Sequence, residues 1–304
     1  MERNVLAMAC GSAILGLFLL FLPLQGRAQG VTCPTDSLQG AIDAAAAGST
    51  ILVSGTCEEN VLILEPKNRI TLDGGGTAVI SGLDTSNATV TIRGRDITIK
   101  GFTITGGFDG IQVERGGTAT IDGNTIQATS RYGIGVIQNS YARIVNNTIQ
   151  NNPDDGILIN ENSSARVGFL SPDDANPSSN TIQGNGGNGI EVVRSSSARI
   201  VGNIISGNTL DGIRVAKASH ADIALNTVNG NSEHGIFVLH NSGVNLGNDT
   251  GDLIVDQPNT TTVKNKKYGL KCAMGAYMDG RRGSVKGELG VVSVGGGCIN
   301  SLIP

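Results

Sequence analysis

Two stretches of the chain, "TLDGIRV" (209–215) and "SEHGIFV" (232–238), put Asp211 and His234 in the same slot, just before Gly-Ile and 23 residues apart. A carboxylate beside an imidazole is ordinary equipment for proton transfer near neutral pH. A short polar residue before glycine is also ordinary turn chemistry, because its side chain bonds nearby backbone. The choice between these readings depends on the element that carries the slot.

That element repeats. Gly110, Gly133, Gly156, Gly189, Gly212, Gly235 and Gly269 are separated by 23, 23, 33, 23, 23 and 34 residues. Asn124, Asn147, Asn180, Asn203 and Asn226 form a second column, with Ala-x-Ile or Ala-x-Val blocks at 142–144, 165–167, 198–200 and 221–223 between the two. Apolar and polar residues alternate within each block, the signature of short strands. Glycine or asparagine every six to eight residues excludes helices of useful length. Three strands per repeat, joined by short turns, must wind into a coil that stacks on copies of itself. Ile213, Val215, Ala221, Ile223 and Val228 then point inward. Ten extra residues between Val167 and Asn180, and eleven after Leu246, read as protruding loops.

The ends depart from the repeat, as solenoid ends must to cover open strand edges. Ser37 reads as the N-cap of an amphipathic helix whose Leu38, Ile42 and Ala45 or Ala46 share a face, followed by a strand at Ile51–Val53. Residues 273–304 lose the register and are expected to form an irregular C-terminal cap. The resulting division is a signal peptide at 1–28, a solenoid at 29–272 with its N-terminal cap at about 33–57, and the cap at 273–304. About nine or ten coils make a rod of roughly 45 Å.

Composition narrows the setting. The chain has 304 residues, 44 glycines, no tryptophan and a formal charge of −4. No basic stripe interleaves with aromatics, so nucleic acid is not an expected partner. An apolar run from Val5 to Leu24 precedes Gly26-Arg27-Ala28, the layout of a cleaved export signal, with an uncleaved anchor as the alternative. Cleavage after Ala28 leaves a monomer without a membrane span, secreted or held in the periplasm or cell envelope. It also leaves four cysteines, which allow three pairings. Cys33–Cys57 and Cys272–Cys298 are expected, because each joins residues at one end of the chain.

With "NTIQGNGGNGIEVV", "NIISGNTLDGIRVA" and "NTVNGNSEHGIFVL" aligned, the chain resembles right-handed parallel β-helix repeat proteins of the pectate-lyase-like superfamily. The stretch "LQGAIDAAAAGSTILVSGTC" leading into "ITLDGGG" resembles that group's cap and first coil, and the resemblance covers about residues 35–275. It implies an all-β, single-stranded right-handed parallel β-helix. It leaves the reaction open, since the group holds lyases, hydrolases, epimerases and proteins without a known reaction. Tyr132-Gly133-Ile134 matches the start of the Tyr-Gly-x-Asp-Pro-His motif of alginate lyase and epimerase relatives. Gly135, Val136 and Ile137 stand where that motif has its acid and base. Asp154-Asp155 resembles the paired aspartates of polygalacturonases, but "EHG" (233–235) does not match their Gly-His-Gly. Arg214 and Lys217 are basic residues of the kind that serve β-elimination in pectate lyases, without a matching motif around them.

In such enzymes sugar chains lie over the strand that follows the pre-glycine slot. Here that slot reads Asp109, Tyr132, Asp155, Asn188, Asp211, His234 and Tyr268. The outward strand positions include Glu191, Val193, Arg214, Ala216, Phe237 and Leu239. The catalytic expectation makes Asp211 or Glu191 a general base, Arg214 the partner of a uronate carboxylate, and His234 an acid or neutral base tuned by its acidic neighbour. Tyr132, Asp155, Asn188 and Lys217 would then bind substrate. The competing expectation is turn chemistry, with Glu191–Arg214 an exposed cross-strand pair; four Asp or Asn among seven column members favour it. Phe108, Tyr132 and Phe237 look too scattered along the chain to make a sugar platform. No cofactor motif is present, and the one metal suggested is Ca²⁺, from "PDD" (172–174) and "NDTGD" (248–252). The expected function is an exported solenoid that binds, and in the catalytic version cleaves or epimerises, a polysaccharide or cell-surface glycan. An enzyme of this kind would be lyase/epimerase-like or glycoside hydrolase-like. The alternative is a non-catalytic envelope or surface protein serving as a spacer or protein-binding face.

Overall fold

The computed structural model describes residues 28–168, 178–247 and 256–304. The chain winds through about eleven turns of a right-handed parallel β-solenoid with one short helix. The Gly-Ile-x-Val segments stack into a ten-stranded sheet, and the Ala-x-Ile and Asn-x-Ile segments form a seventeen-stranded sheet. All inter-strand ladders are parallel, and repeat-related residues face each other. Ile190, Ile213 and Ile236 form one apolar column of the ten-stranded sheet, and Val192, Val215 and Val238 the next. Every member is fully buried. Ala198, Ala221, Ile200, Ile223, Ile205 and Val228 close the core from the other side, at 7% exposure or less. Stacking like residues at roughly 4.8 Å spacing lets each sec-butyl or isopropyl group bury its flanks against a copy of itself.

The glycine column has a steric cause. A Cβ on Gly212 would lie 2.7 Å from the carbonyl oxygen of Gly235 and 2.5 Å from Val228 Cγ1. The same clash with the next glycine's oxygen recurs at Gly110, Gly133, Gly156, Gly189 and Gly235. A side chain here would wedge neighbouring coils apart.

Three polar ladders run inside the turns. In the expected one, Asn180 Oδ1 accepts the backbone N–H of Asn147, and Asn203 Oδ1 that of Asn180, continuing to Asn259. A second joins Asn152, Asn185, Asn208, Asn231 and Asn265. A third joins Ser140, Ser163, Ser196, Ser219 and Ser242. Each supplies the acceptor that a buried turn N–H would otherwise lack.

At the front, helix Leu38–Ala44 lies against the first coils with Ser37 as its N-cap, Oγ accepting from Gly40 N–H, and with Leu38, Ala41 and Ile42 buried. Ala45 is buried as the C-cap residue and Ala46 is exposed. Beneath it the strand Ala28–Cys33 pairs with Thr50–Cys57, a longer strand than Ile51–Val53. Beyond Cys272 the stacking continues: Tyr277–Arg281 pairs with Gly243–Leu246, and Ile299–Ile303 with Tyr277–Arg281. Disulfides join Cys33 to Cys57 and Cys272 to Cys298, with Cα–Cα distances of 4.9 and 5.9 Å. Among the described residues no helix is long and apolar enough to cross a membrane. All of the expected signal segment at 1–28 except Ala28, both acidic stretches (172–174 and 248–252) and most of both inserted loops lie outside the described residues.

Candidate functional site

The pre-glycine slot lies along one edge of the ten-stranded sheet and forms a fourth ladder. Asp155 Oδ1 accepts the N–H of Asn188 (2.6 Å), Asn188 Oδ1 that of Asp211 (3.1 Å), and Asp211 Oδ1 that of His234 (2.9 Å). His234 Nδ1 then accepts from Tyr268 N–H (3.1 Å). Turn chemistry therefore operates between coils and not within one turn. Asp155, Asn188, Asp211 and His234 are all buried.

Burial sets the protonation states. It drives the Asp155 carboxyl up to about 8, with Glu191's charge adding and the Asn188 bonds opposing. It raises Glu191 as well, against the pull of Arg214 and Lys217. Asp211 rises to about 6 by burial, opposed by the bond from His234 N–H and by Arg214. His234 falls to about 4, chiefly by burial; Glu233 opposes and Lys267 and Lys271 add. The imidazole is neutral at pH 7, and the N–H it accepts at Nδ1 assigns its proton to Nε2. Its contact with Asp211 runs through the backbone, so the expected carboxylate–imidazole pair is not formed as such.

Asp211, Glu233 and His234 each bring one ligand-type atom within 4.8 Å of the others. Their donors are already engaged. Asp211 Oδ1 holds His234 N–H, Glu233 pairs with Lys267, and the Tyr268 N–H occupies the imidazole lone pair. A metal at Nε2 would need the proton on Nδ1, facing another donor. The set fits a metal poorly.

Glu191 and Arg214 face each other on adjacent strands at 3.2 Å, and Arg214 Nη1 lies 3.7 Å from Asp211 Oδ2. Lys217 is exposed in the turn that follows. Of the second outward column, Val193, Ala216 and Leu239 do not reach solvent. With Leu158 they form a small apolar cluster outside the sheet, covered partly by Tyr132 and Phe237.

The coil period gathers the scattered aromatics. Arg131 is clamped by both carboxylate oxygens of Asp109 (2.9 and 2.8 Å), with its guanidinium 4.1 Å from the ring centres of both Phe108 and Tyr132. Arg214 lies 5.6 Å from the Phe237 ring, and Lys271 Nζ 5.5 Å from that of Tyr268. Burial, with Asp154 adding, pushes the Tyr132 hydroxyl up to about 12, so it stays a donor. Arg131 and Lys271 escape motif reading, and Tyr268 enters it only as a member of the pre-glycine column; the signal that finds the other two is their fixed offset from that column. At the N-terminal end of the same sheet lies a depression of ≈ 470 Å³, lined by Leu62, Thr91, Arg93, Phe108, Gln112 and Glu114 among others. None of the eight residues assigned catalytic or binding roles from sequence lines it.

The model of the right-handed beta helix region matches residues 49–171, 85–251 and 162–277, most of the chain. The chain belongs to the right-handed β-helix family. Among solved structures, this β-helix is similar to a double mutant of the periplasmic alginate epimerase AlgG, with TM-score 0.56 and 15% identity over 91% of this chain and 73% of that one. It is also similar to pectate lyase Pel9A, with TM-score 0.55 and 14% identity over 90% and 78%. These likenesses are of fold, and the fold is that of pectate-lyase-like β-helices. A cell surface glycoprotein of Methanothermus fervidus is 37% identical over 81 residues, 26% of this chain and 13% of that protein. The β-helix thus spans a small part of its curated relative.

Proposed function

We propose that the protein is exported and that its ten-stranded face binds an acidic polysaccharide of the uronic-acid type. The observation that carries this reading is the row of cation–aromatic pairs along one face: Arg131 with Phe108 and Tyr132, Arg214 with Phe237, Lys271 with Tyr268. Aromatic rings offer sugar rings a flat apolar contact. Arg131, already clamped by Asp109, positions its two rings, while Arg214, which meets Glu191 through Nε, and Lys271 have N–H donors left for carboxylates. Two structures of like fold are named for action on alginate and pectate, which supports a polymer of that charge. Export is supported by the apolar leader sequence, by the two disulfides and by the cell-surface relative.

Binding is preferred to turnover because Asp211 and His234 spend their inward atoms on the coil backbone. A lyase- or epimerase-like reaction is a second reading, favoured by Asp155, whose carboxyl stays protonated at neutral pH beside Glu191. Electrophoresis through gels cast with alginate, polygalacturonate or neutral glucan tests the binding, with absorbance of unsaturated products followed in parallel. Retardation by a uronate polymer without product is the expected result. Product formation abolished by Asp155→Asn would establish the second reading, and migration unchanged in every gel would refute both.

A further inference from the structure

The seventeen-stranded sheet carries a charged strip that the ten-stranded face does not use. Strands Tyr141–Val145, Ser164–Val167 and Ser197–Val201 stack so that Arg143 faces Arg166 and Arg166 faces Arg199. Tyr141, Ser164 and Ser197 form the neighbouring column, and Asp222 follows Arg199 on the next rung. Three guanidinium-bearing positions thus run along the solenoid axis at roughly 4.8 Å steps.

Like charges directly opposite one another weaken a sheet, and the chain as a whole is acidic at −4. The strip is therefore neither part of a generally basic surface nor a stability device. Arg143 is exposed and bonds only the Tyr141 hydroxyl, at 3.3 Å. Neither Arg143 nor Arg166 has a carboxylate partner among the described residues. Two hollows flank the strip. One, of ≈ 290 Å³, is lined by Thr98, Thr118, Tyr141 and Arg143 among others. The other, of ≈ 260 Å³, is lined by Tyr141, Ser164, Arg166, Ser197 and Arg199 among others. Tyr141 lines both, so the two hollows adjoin along the axis, with Asp96 at the first and Asp222 at the second.

We propose that these adjoining hollows form a second binding site, for a linear anionic glycan whose sulfate or carboxylate groups sit on Arg143 and Arg166. Guanidinium offers paired N–H donors to either oxyanion. The hydroxyls of Tyr141, Ser164 and Ser197 meet the sugar hydroxyls between charges. A polymer repeats its charge along the axis, so weak contacts on successive rungs add. A nucleic acid is disfavoured, because one tyrosine ring offers no stacking platform for successive bases.

Titration of the full chain with dextran sulfate, polygalacturonate, uncharged dextran and single-stranded DNA tests this. Wild type should bind at least one polyanionic glycan and not dextran. In an Arg214→Ala background, which removes the cation proposed for the ten-stranded face, Arg143→Gln/Arg166→Gln should weaken the remaining polyanion binding by about tenfold or more. Binding of dextran sulfate alone names sulfate; binding of polygalacturonate alone names carboxylate. The double variant should melt no lower than wild type, since it removes facing like charges, and Arg143→Gln alone repeats the test at an exposed position. No binding to either polyanion, equal binding with and without the two glutamines in the Arg214→Ala background, or DNA binding as strong as glycan binding would overturn the site. A loss confined to Arg214→Ala would also overturn it while leaving the ten-stranded face as the binding surface.

Discussion

Asp211 and His234 hold the same slot on adjacent coils, and the bond between them runs from the backbone N–H of His234 to Asp211 Oδ1 at 2.9 Å. The imidazole points its own acceptor one coil further, to Tyr268 N–H. The two residues are rungs of one ladder, joined through the His234 backbone and not side chain to side chain.

That relationship separates two substitutions at one position. Asp211→Asn keeps an oxygen for the buried N–H of His234 and should leave the denaturation midpoint nearly unchanged at neutral pH. Asp211→Ala strands that N–H and should cost about 1–3 kcal/mol. Urea unfolding of both variants checks this, and an equal loss in the two would count against the ladder.

Protonation gives a second prediction. Asp155 rises on folding from 3.8 to about 8, so it holds a proton in the fold that the unfolded chain has released. Its stabilising contribution is full below the unfolded value and is lost as pH rises toward the folded value. His234, lowered from 6.5 to about 4, works in the opposite sense: its contribution is full above 6.5 and is lost as pH falls toward 4. Asp155→Asn should therefore melt above wild type at about pH 8, with the gap narrowing toward about pH 4.5. A gap independent of pH would mean that Asp155 titrates normally.

The glycine column gives a third. In Gly212→Ala the new methyl meets Gly235 O, Val228 Cγ1 and Asn231 Nδ2 within 2.7 Å. Two of these contacts belong to packed coil interior that cannot yield cheaply, and a cost of about 1–3 kcal/mol or more follows. Gly207, which has nothing within 4 Å but a φ of +62°, should lose less on the same change. Thermal melts of the pair check the order, and a larger loss at Gly207 would reverse the explanation.

The coil was legible in the sequence because its period is written three times over, in glycine, in asparagine and in Ala-x-Ile. Asn152, Asn185, Asn208 and Asn231 carry the same period, as do Ser163, Ser196 and Ser219, yet polar residues in turns look like solvent-facing filler until burial is known. The aromatics were hidden for a different reason. Phe108, Tyr132, Phe237 and Tyr268 lie far apart along the chain, and only lateral stacking sets them on one face beside Arg131, Arg214 and Lys271. Outward alternation also misled at Val193, Ala216 and Leu239, because neighbouring side chains bury them a second time. Past Cys272 the Gly-Ile marker disappears while the stacking does not, since backbone pairing needs no particular side chain.

The cation–aromatic pairs of the ten-stranded face are expected to hold a charged sugar chain. Calorimetric titration of wild type, Arg214→Ala and Phe237→Ala with defined oligouronates measures this most directly. The predicted result is binding by wild type that each substitution weakens by about tenfold, or 1.4 kcal/mol, with the folded β-sheet circular dichroism of wild type kept at the titration temperature. Wild-type heats no larger than dilution, or identical affinity in all three proteins, would contradict it.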